Sequence, residues 1–153
     1  MGNIFNEDFR DFIDQLNIAQ VRYILIGGFS VILHGYSRTT GDMDIWVERS
    51  TENYLKIKKA FDKFGMPVFD MNEKNFLEHP SWDVFTYGIP PSAIDLMVKV
   101  KGIDFESCFN TSVFFEEDGL YIRTLNLNNL LEAKSASGRP KDLDDIENLK
   151  SKK

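Results

Sequence analysis

The sequence predicts an α/β (α+β) fold: one domain over residues 1–153, with a mixed β-sheet flanked by helices and closed by a C-terminal helical pair. Three observations lead there. Segments with apolar residues at helical spacing alternate with short strand-like runs. The run from Val21 to Ile26 is nearly continuous in apolar residues, the pattern of a buried strand, and stops at Gly27-Gly28. Asp118-Gly119 separates two further strand-like runs, a strong hairpin signal.

The elements follow in order. Phe9, Phe12, Ile13 and Leu16 form a helical stripe, with Asn6 as its cap and Glu7 and Asp8 at the positive end of the helix dipole. After the strand at Val21–Ile26 and the glycine turn, Phe29–His34 reads as a short buried helix ended by Gly35. A second strand runs from about Asp42 to Glu48. Ser50 or Thr51 then caps a helix carrying Tyr54, Ile57, Phe61 and Phe64, which Gly65 stops. Residues 66–92 hold Pro67, Pro80, Pro90 and Pro91, with strand-like Trp82–Tyr87 between them. Ile94–Val100 is a strand, and Ser112–Glu116 and Leu120–Leu125 flank the hairpin turn. Leu127, Leu130 and Leu131 begin the helical pair. Gly138 breaks it, Pro140 suits the first position of the last helix, and Leu143, Ile146 and Leu149 would be that helix's buried face. No repeat, low-complexity tract or linker divides the chain.

Composition excludes several classes. The 18 basic and 24 acidic residues give a net charge of −6, which argues against broad binding to duplex DNA or anionic membranes. The single cysteine, Cys108, rules out an intrachain disulfide and a cysteine-based zinc site, and only His34 and His79 are available as imidazole ligands. The polar, acidic N-terminus is no signal peptide, and no apolar run approaches the roughly 20 residues a membrane helix needs. A cytoplasmic setting is expected.

The informative feature is how two strands are patterned. In the second, Met43, Ile45 and Val47 point one way, while Asp42, Asp44, Trp46 and Glu48 point the other. In the strand at Ile94, Asp95 stands opposite the apolar face of Ile94, Leu96, Val98 and Val100. If the two strands are neighbours on one core, Asp42, Asp44 and Asp95 share a surface. Aspartate is disfavoured in strands, and clustered carboxylates repel one another; a divalent cation relieves both, and hard oxygen ligands favour Mg²⁺. The plain alternative is that Asp42-x-Asp44 lies on the solvated face of an edge strand.

Two further signals accompany the aspartates. Gly27-Gly28 lets backbone N–H groups approach phosphate oxygens, and Ser30 offers a hydroxyl; equally, the pair is only a turn. It is neither a Walker A loop nor a dinucleotide fingerprint. Lys134 continues the leucine stripe of Leu127 and Leu131, so it either snorkels to solvent or aims a cation into a site. Arg139 and Lys141 flank the start of the last helix, where an anion is also welcome.

Together these residues resemble the DNA polymerase beta-like nucleotidyltransferase superfamily, and within it the minimal AbiEii-type members. The similarity lies in Gly27-Gly28, Asp42-x-Asp44 and Asp95, and in "YILIGGFSVILHGYSRTTGDMDIWV", "GIPPSAIDLMVKVKGIDFE" and "LLEAKSASGRPKDLDDIENL". The resemblance implies two Mg²⁺ ions and transfer of a nucleoside monophosphate from an NTP, with loss of pyrophosphate. It implies that Asp42 and Asp44 ligate the ions that hold the triphosphate. Asp95 would ligate the catalytic ion and help deprotonate the acceptor hydroxyl. Gly27, Gly28 and Ser30 would hold the β/γ-phosphates, and Lys134, with Arg139 nearby, would meet the nucleotide. The sequence departs from the family at Gly28, where many active members carry serine; that hydroxyl is either missing or supplied by Ser30.

The acceptor is not legible: an RNA end, a protein or a small molecule all fit. Lys134, Arg139, Lys141, Lys150, Lys152 and Lys153 gather near the C-terminus against the overall acidity. The alternative to an enzyme is a catalytically weak nucleotide-binding or partner-binding component of a toxin–antitoxin pair, with a small protein partner.

Overall fold

A computed structural model describes residues 5–89 and 92–151. Pro90 and Pro91, and Lys152 and Lys153 of the C-terminal basic group, lie outside the described residues. The elements are α1 (Glu7–Ile18), β1 (Tyr23–Ile26), α2 (Gly27–Leu33), β2 (Met43–Val47), α3 (Thr51–Phe64), α4 (Glu73–Glu78), β3 (Val84–Tyr87), β4 (Ile94–Met97), α5 (Phe105–Asn110), β5 (Val113–Glu117), β6 (Leu120–Thr124), α6 (Leu127–Ser137) and α7 (Pro140–Lys150). The strands form one mixed sheet in the order β3-β4-β2-β1-β6-β5. Two pairs that matter for the site lie at its centre: β1 is antiparallel to β2, and β2 is parallel to β4.

Each face of the sheet has its own apolar layer. On one, Met43, Ile45, Val47, Ile94 and Leu96 pack with Phe9, Phe12 and Ile13 of α1, Ile57 and Phe61 of α3 and Phe76 of α4. On the other, Ile24, Ile26 and Trp46 pack with Cys108 of α5, Leu130 of α6 and Leu149 of α7. The short helix α2 closes the end between the layers, with Phe29 in the first and Val31 in the second. This is why Phe29–His34 reads as apolar on all sides.

Local signals act where they were read. Asn6 caps α1 by accepting from the Phe9 N–H, Ser50 caps α3, and Gly65 ends α3 in the left-handed region. Asp118 and Gly119 both have positive φ (48° and 83°), as a type I′ hairpin turn requires. The departures that bear on the site are two element ends and the inner face of α7. Helix α2 begins at Gly27 itself, not at Phe29. The strand from Ile94 ends at Met97. Of the expected face of α7, Leu149 is buried and Ile146 half-buried, but Leu143 is 55% exposed. The helix's inward positions are Asp142, Asp145 and Leu149, and the two acids are buried because cations meet them there. Helices α4 and α5 are single short turns, too brief for periodicity to reveal, though Asn72 and Asp104 cap them in the usual way.

Candidate active site

The parallel register of β2 and β4 sets Asp44 directly beside Asp95. The apolar faces of both strands lie on the same core, so the two carboxylates emerge together on the opposite face. They stand side by side across the ladder, near enough for the charge of Asp95 to act on Asp44. Burial, then the charge of Asp95, push the Asp44 carboxyl up from 3.8 to about 7; Lys134 opposes this and Asp42 adds to it. Thr86, on the edge strand β3 opposite Asp95, donates its hydroxyl to Asp95 Oδ1 at 2.7 Å.

Asp42 is oriented differently. Its Oδ1 accepts the Ala93 N–H at 3.0 Å, tying the approach to β2 to the approach to β4. Among the described residues no three Asp, Glu, His or Cys side chains stand together as a metal-binding group. Asp42 commits Oδ1 to the backbone, and its charge also acts on Asp44. The donor chemistry still suits a hard divalent cation. Two carboxylates forced together, one of them desolvated, need either a shared proton or a metal ion.

The glycine turn sits against this pair. Ile26 is in register with Asp44 across the β1–β2 ladder, and Gly27 follows with φ +72°. A Cβ on Gly27 would overlap Asp44 Oδ2, and one on Gly28 would overlap Thr40 Oγ1. The two glycines thus have a reason within the chain itself: they let Asp44 and Thr40 lie directly on the backbone. Ser30, expected near phosphate, is fully buried. Its hydroxyl bonds Thr124 Oγ1 at 2.6 Å, and Thr124 Oγ1 donates to the Leu25 carbonyl at 2.7 Å. The side chain therefore braces α2 against β6 from beneath and does not face the turn's outer surface.

Lys134 is 6% exposed and does not snorkel. Its Nζ lies 3.2 Å from Asp142 Oδ1 and 3.0 Å from Asp145 Oδ2, close enough to Asp44 to lower that carboxyl's pKa. Arg38 grips Asp145 with two donors, Nε at 2.7 Å and Nη2 at 3.0 Å. Arg139 Nε bonds Asp142 Oδ2 at 2.7 Å, and Asp44 is among the charges acting on Arg139. Burial alone would raise Asp142; hydrogen bonds from Arg139, Ser137 and Lys134 outweigh it and hold that carboxyl well below its ordinary range. Sequence reading missed Thr86, Arg38, Asp142 and Asp145. The last two did leave a trace, since Asp142, Asp145 and Leu149 are spaced i, i+3, i+7 on one helix face.

Solved structures share this architecture. A candidate nucleotidyltransferase from Thermotoga maritima aligns at a TM-score of 0.57 and 18% identity, covering 95% of this chain and 91% of its own. A lincosamide antibiotic adenylyltransferase, LnuA, solved with lincomycin bound, aligns at 0.58 and 17%, covering 98% and 99%. An antigenic nucleotidyltransferase-like protein from Paracoccidioides brasiliensis aligns at 0.52 and 14%, covering 92% and 72%. At these identities the likeness is one of fold, and the fold is that of the nucleotidyltransferases. No curated protein sequence matches significantly. The family of nucleotidyltransferases of unknown function, DUF6036, matches residues 6–151, and the chain belongs to it. Among the described residues no helix is long and apolar enough to cross a membrane.

Proposed function

We propose that the chain transfers a nucleoside monophosphate from an NTP to a hydroxyl group, with Mg²⁺ as cofactor and release of pyrophosphate. The observation that carries this reading is the register that sets Asp44 beside Asp95, with Asp44 lying against the Gly27 turn, in a chain of a nucleotidyltransferase family. Asp42, Asp44 and Asp95 would hold Mg²⁺, which when bound stabilises charge on the attacking and leaving oxygens. Asp95 takes the acceptor's proton, and Thr86 fixes which of its oxygens is presented. The half-buried backbone of Gly27 and Gly28 would lie along the triphosphate. Lys134 and Arg139 offset its charge from the side of α6 and α7. Ser30 contributes through the brace beneath the turn, because its hydroxyl is committed to Thr124.

The finer placement we favour is AbiEii-type, on the strength of the sequence stretches at residues 23–47, 88–106 and 130–149. A catalytically silent component of a toxin–antitoxin pair would have no use for the Asp44–Asp95 pair, whose burial and repulsion oppose folding. The test is to incubate the protein with each labelled NTP and Mg²⁺, in turn with total cellular RNA, total protein and a pool of small hydroxyl compounds. Label should enter one acceptor class with the parent and none with Asp44→Asn. Absence of transfer to every class, with nucleotide bound, would reject the enzymatic reading in favour of the silent one.

A further inference from the structure

We infer that Arg38 is a phosphate-binding residue of this site, and that the buried carboxylates of Asp145 and Asp142 are positioning residues that hold Arg38, Lys134 and Arg139 as its cationic wall. The inference rests on the nucleotide-transfer reading and names part of its substrate contact. Asp145 is the hub: its side chain is 1% exposed and it takes two donors from Arg38 and one from Lys134. Asp142, 0% exposed, takes Lys134 and Arg139. Three cations meet two carboxylates, so the cluster carries a surplus positive charge.

A buried ionic cluster is a poor way to stabilise a fold. Desolvation offsets most of its Coulombic gain, and well-packed apolar side chains would serve as well. The surplus is directed instead. Lys134 acts on Asp44, and Asp44 acts on Arg139, so the cations border the acidic pair where a polyanion bound to metal would lie. In a chain of net charge −6 this is a local reversal of sign.

Arg38 has donors to spare. A guanidinium carries five N–H groups. Asp145 takes one on Nε and one on Nη2, and the Thr39 carbonyl takes one on Nη1. Two remain. Nη2 stands 3.2 Å from the point a Cβ on Gly28 would occupy, so the guanidinium lies against the glycine turn. A planar fork, fixed on one edge by a buried carboxylate and placed against the half-buried glycine turn, matches a phosphate group of a nucleoside triphosphate.

Binding of Mg-ATP and of inorganic triphosphate with Mg²⁺, measured by calorimetry on the full chain, tests this. Arg38→Gln should weaken both probes by the same factor, about tenfold or more, because the contact is to phosphate and each 1.4 kcal/mol is tenfold. Arg38→Lys should recover only part, since it restores the charge without the fork. Asp145→Asn should weaken both probes with Arg38 still present, an effect that a merely structural role would confine to the melting temperature. Parent-like binding by folded Arg38→Gln, or a loss for ATP but not for triphosphate, would overturn the assignment. If Arg38→Gln fails to fold, parent-like binding by Arg38→Lys overturns it equally. A parent that binds neither probe would instead reject nucleotide transfer itself.

Discussion

Asp44→Asn should make the metal-free protein more stable while removing its activity. In the fold, burial and Asp95 raise the Asp44 carboxyl from 3.8 to about 7. A raised carboxyl pKa means that the native state holds a proton the unfolded chain has released. Stability is therefore lost as pH rises from about 4 to about 7, and the full penalty applies above that window. At about 1.4 kcal/mol per unit the ceiling is about 4 kcal/mol. Water entering the partly open site reduces this, so a gain of about 1–3 kcal/mol is expected at about pH 8.5. For a chain of this size that is about 2–4 °C per kcal/mol in melting temperature. Near about pH 4.5, where the native carboxyl is protonated, parent and variant should nearly coincide. Mg²⁺ at the higher pH should raise the parent's melting temperature and barely move the variant's. Urea or thermal unfolding with and without EDTA measures all four corners. A parent whose stability is flat between the two pH values, or a variant no more stable than the parent at the higher one, would refute the account of a desolvated acidic pair.

Three further substitutions separate roles that proximity alone confuses. Ser30→Ala should cost about 1–2 kcal/mol by removing one of the two buried hydrogen bonds of Thr124, while Mg-NTP affinity stays within twofold of the parent in calorimetry; a large loss of affinity would restore the hydroxyl to the phosphates. Thr86→Val should lower kcat about tenfold with little change in KM, and Thr86→Ser should recover most of it, because the hydroxyl bonds Asp95; equal activities of all three would leave Thr86 a surface residue. Lys134→Met should weaken nucleotide binding about tenfold and also destabilise the fold by about 2–4 kcal/mol, since it strips a shared cation from two buried carboxylates; a variant with parent-like melting and binding would contradict both.

How much of this was legible depends on whether a pattern is local. Alternation along Met43–Val47 and along Ile94–Met97 put Asp44 and Asp95 on matching faces, because a strand's side chains alternate whatever it pairs with. The pairing of β2 with β4 across some fifty residues has no local signature, so the juxtaposition itself needed the structure. The Gly27-Gly28 turn was legible as a turn, but not its cause. That cause is Asp44 Oδ2 and Thr40 Oγ1 occupying the space where the two Cβ atoms would be. Lys134 on a leucine stripe pointed inward correctly, yet its partners lay on the next helix.

The last helix shows the limit most sharply. Hydrophobicity assigns its inner face to Leu143, Ile146 and Leu149; the protein exposes Leu143 and buries Asp142 and Asp145. Burial of a carboxylate is decided by what meets it, and nothing within Pro140–Lys150 records that Arg38 and Lys134 do. The inversion carries its own meaning. Apolar packing would have held α7 in place more simply, so the retention of two buried acids argues that their task is to aim cations. Those cations act on the place in the sheet where Asp44 and Asp95 stand side by side. A fold that accepts desolvation at both addresses, of opposite sign and side by side, is arranged for a ligand carrying both charges, as a metal-bound triphosphate does.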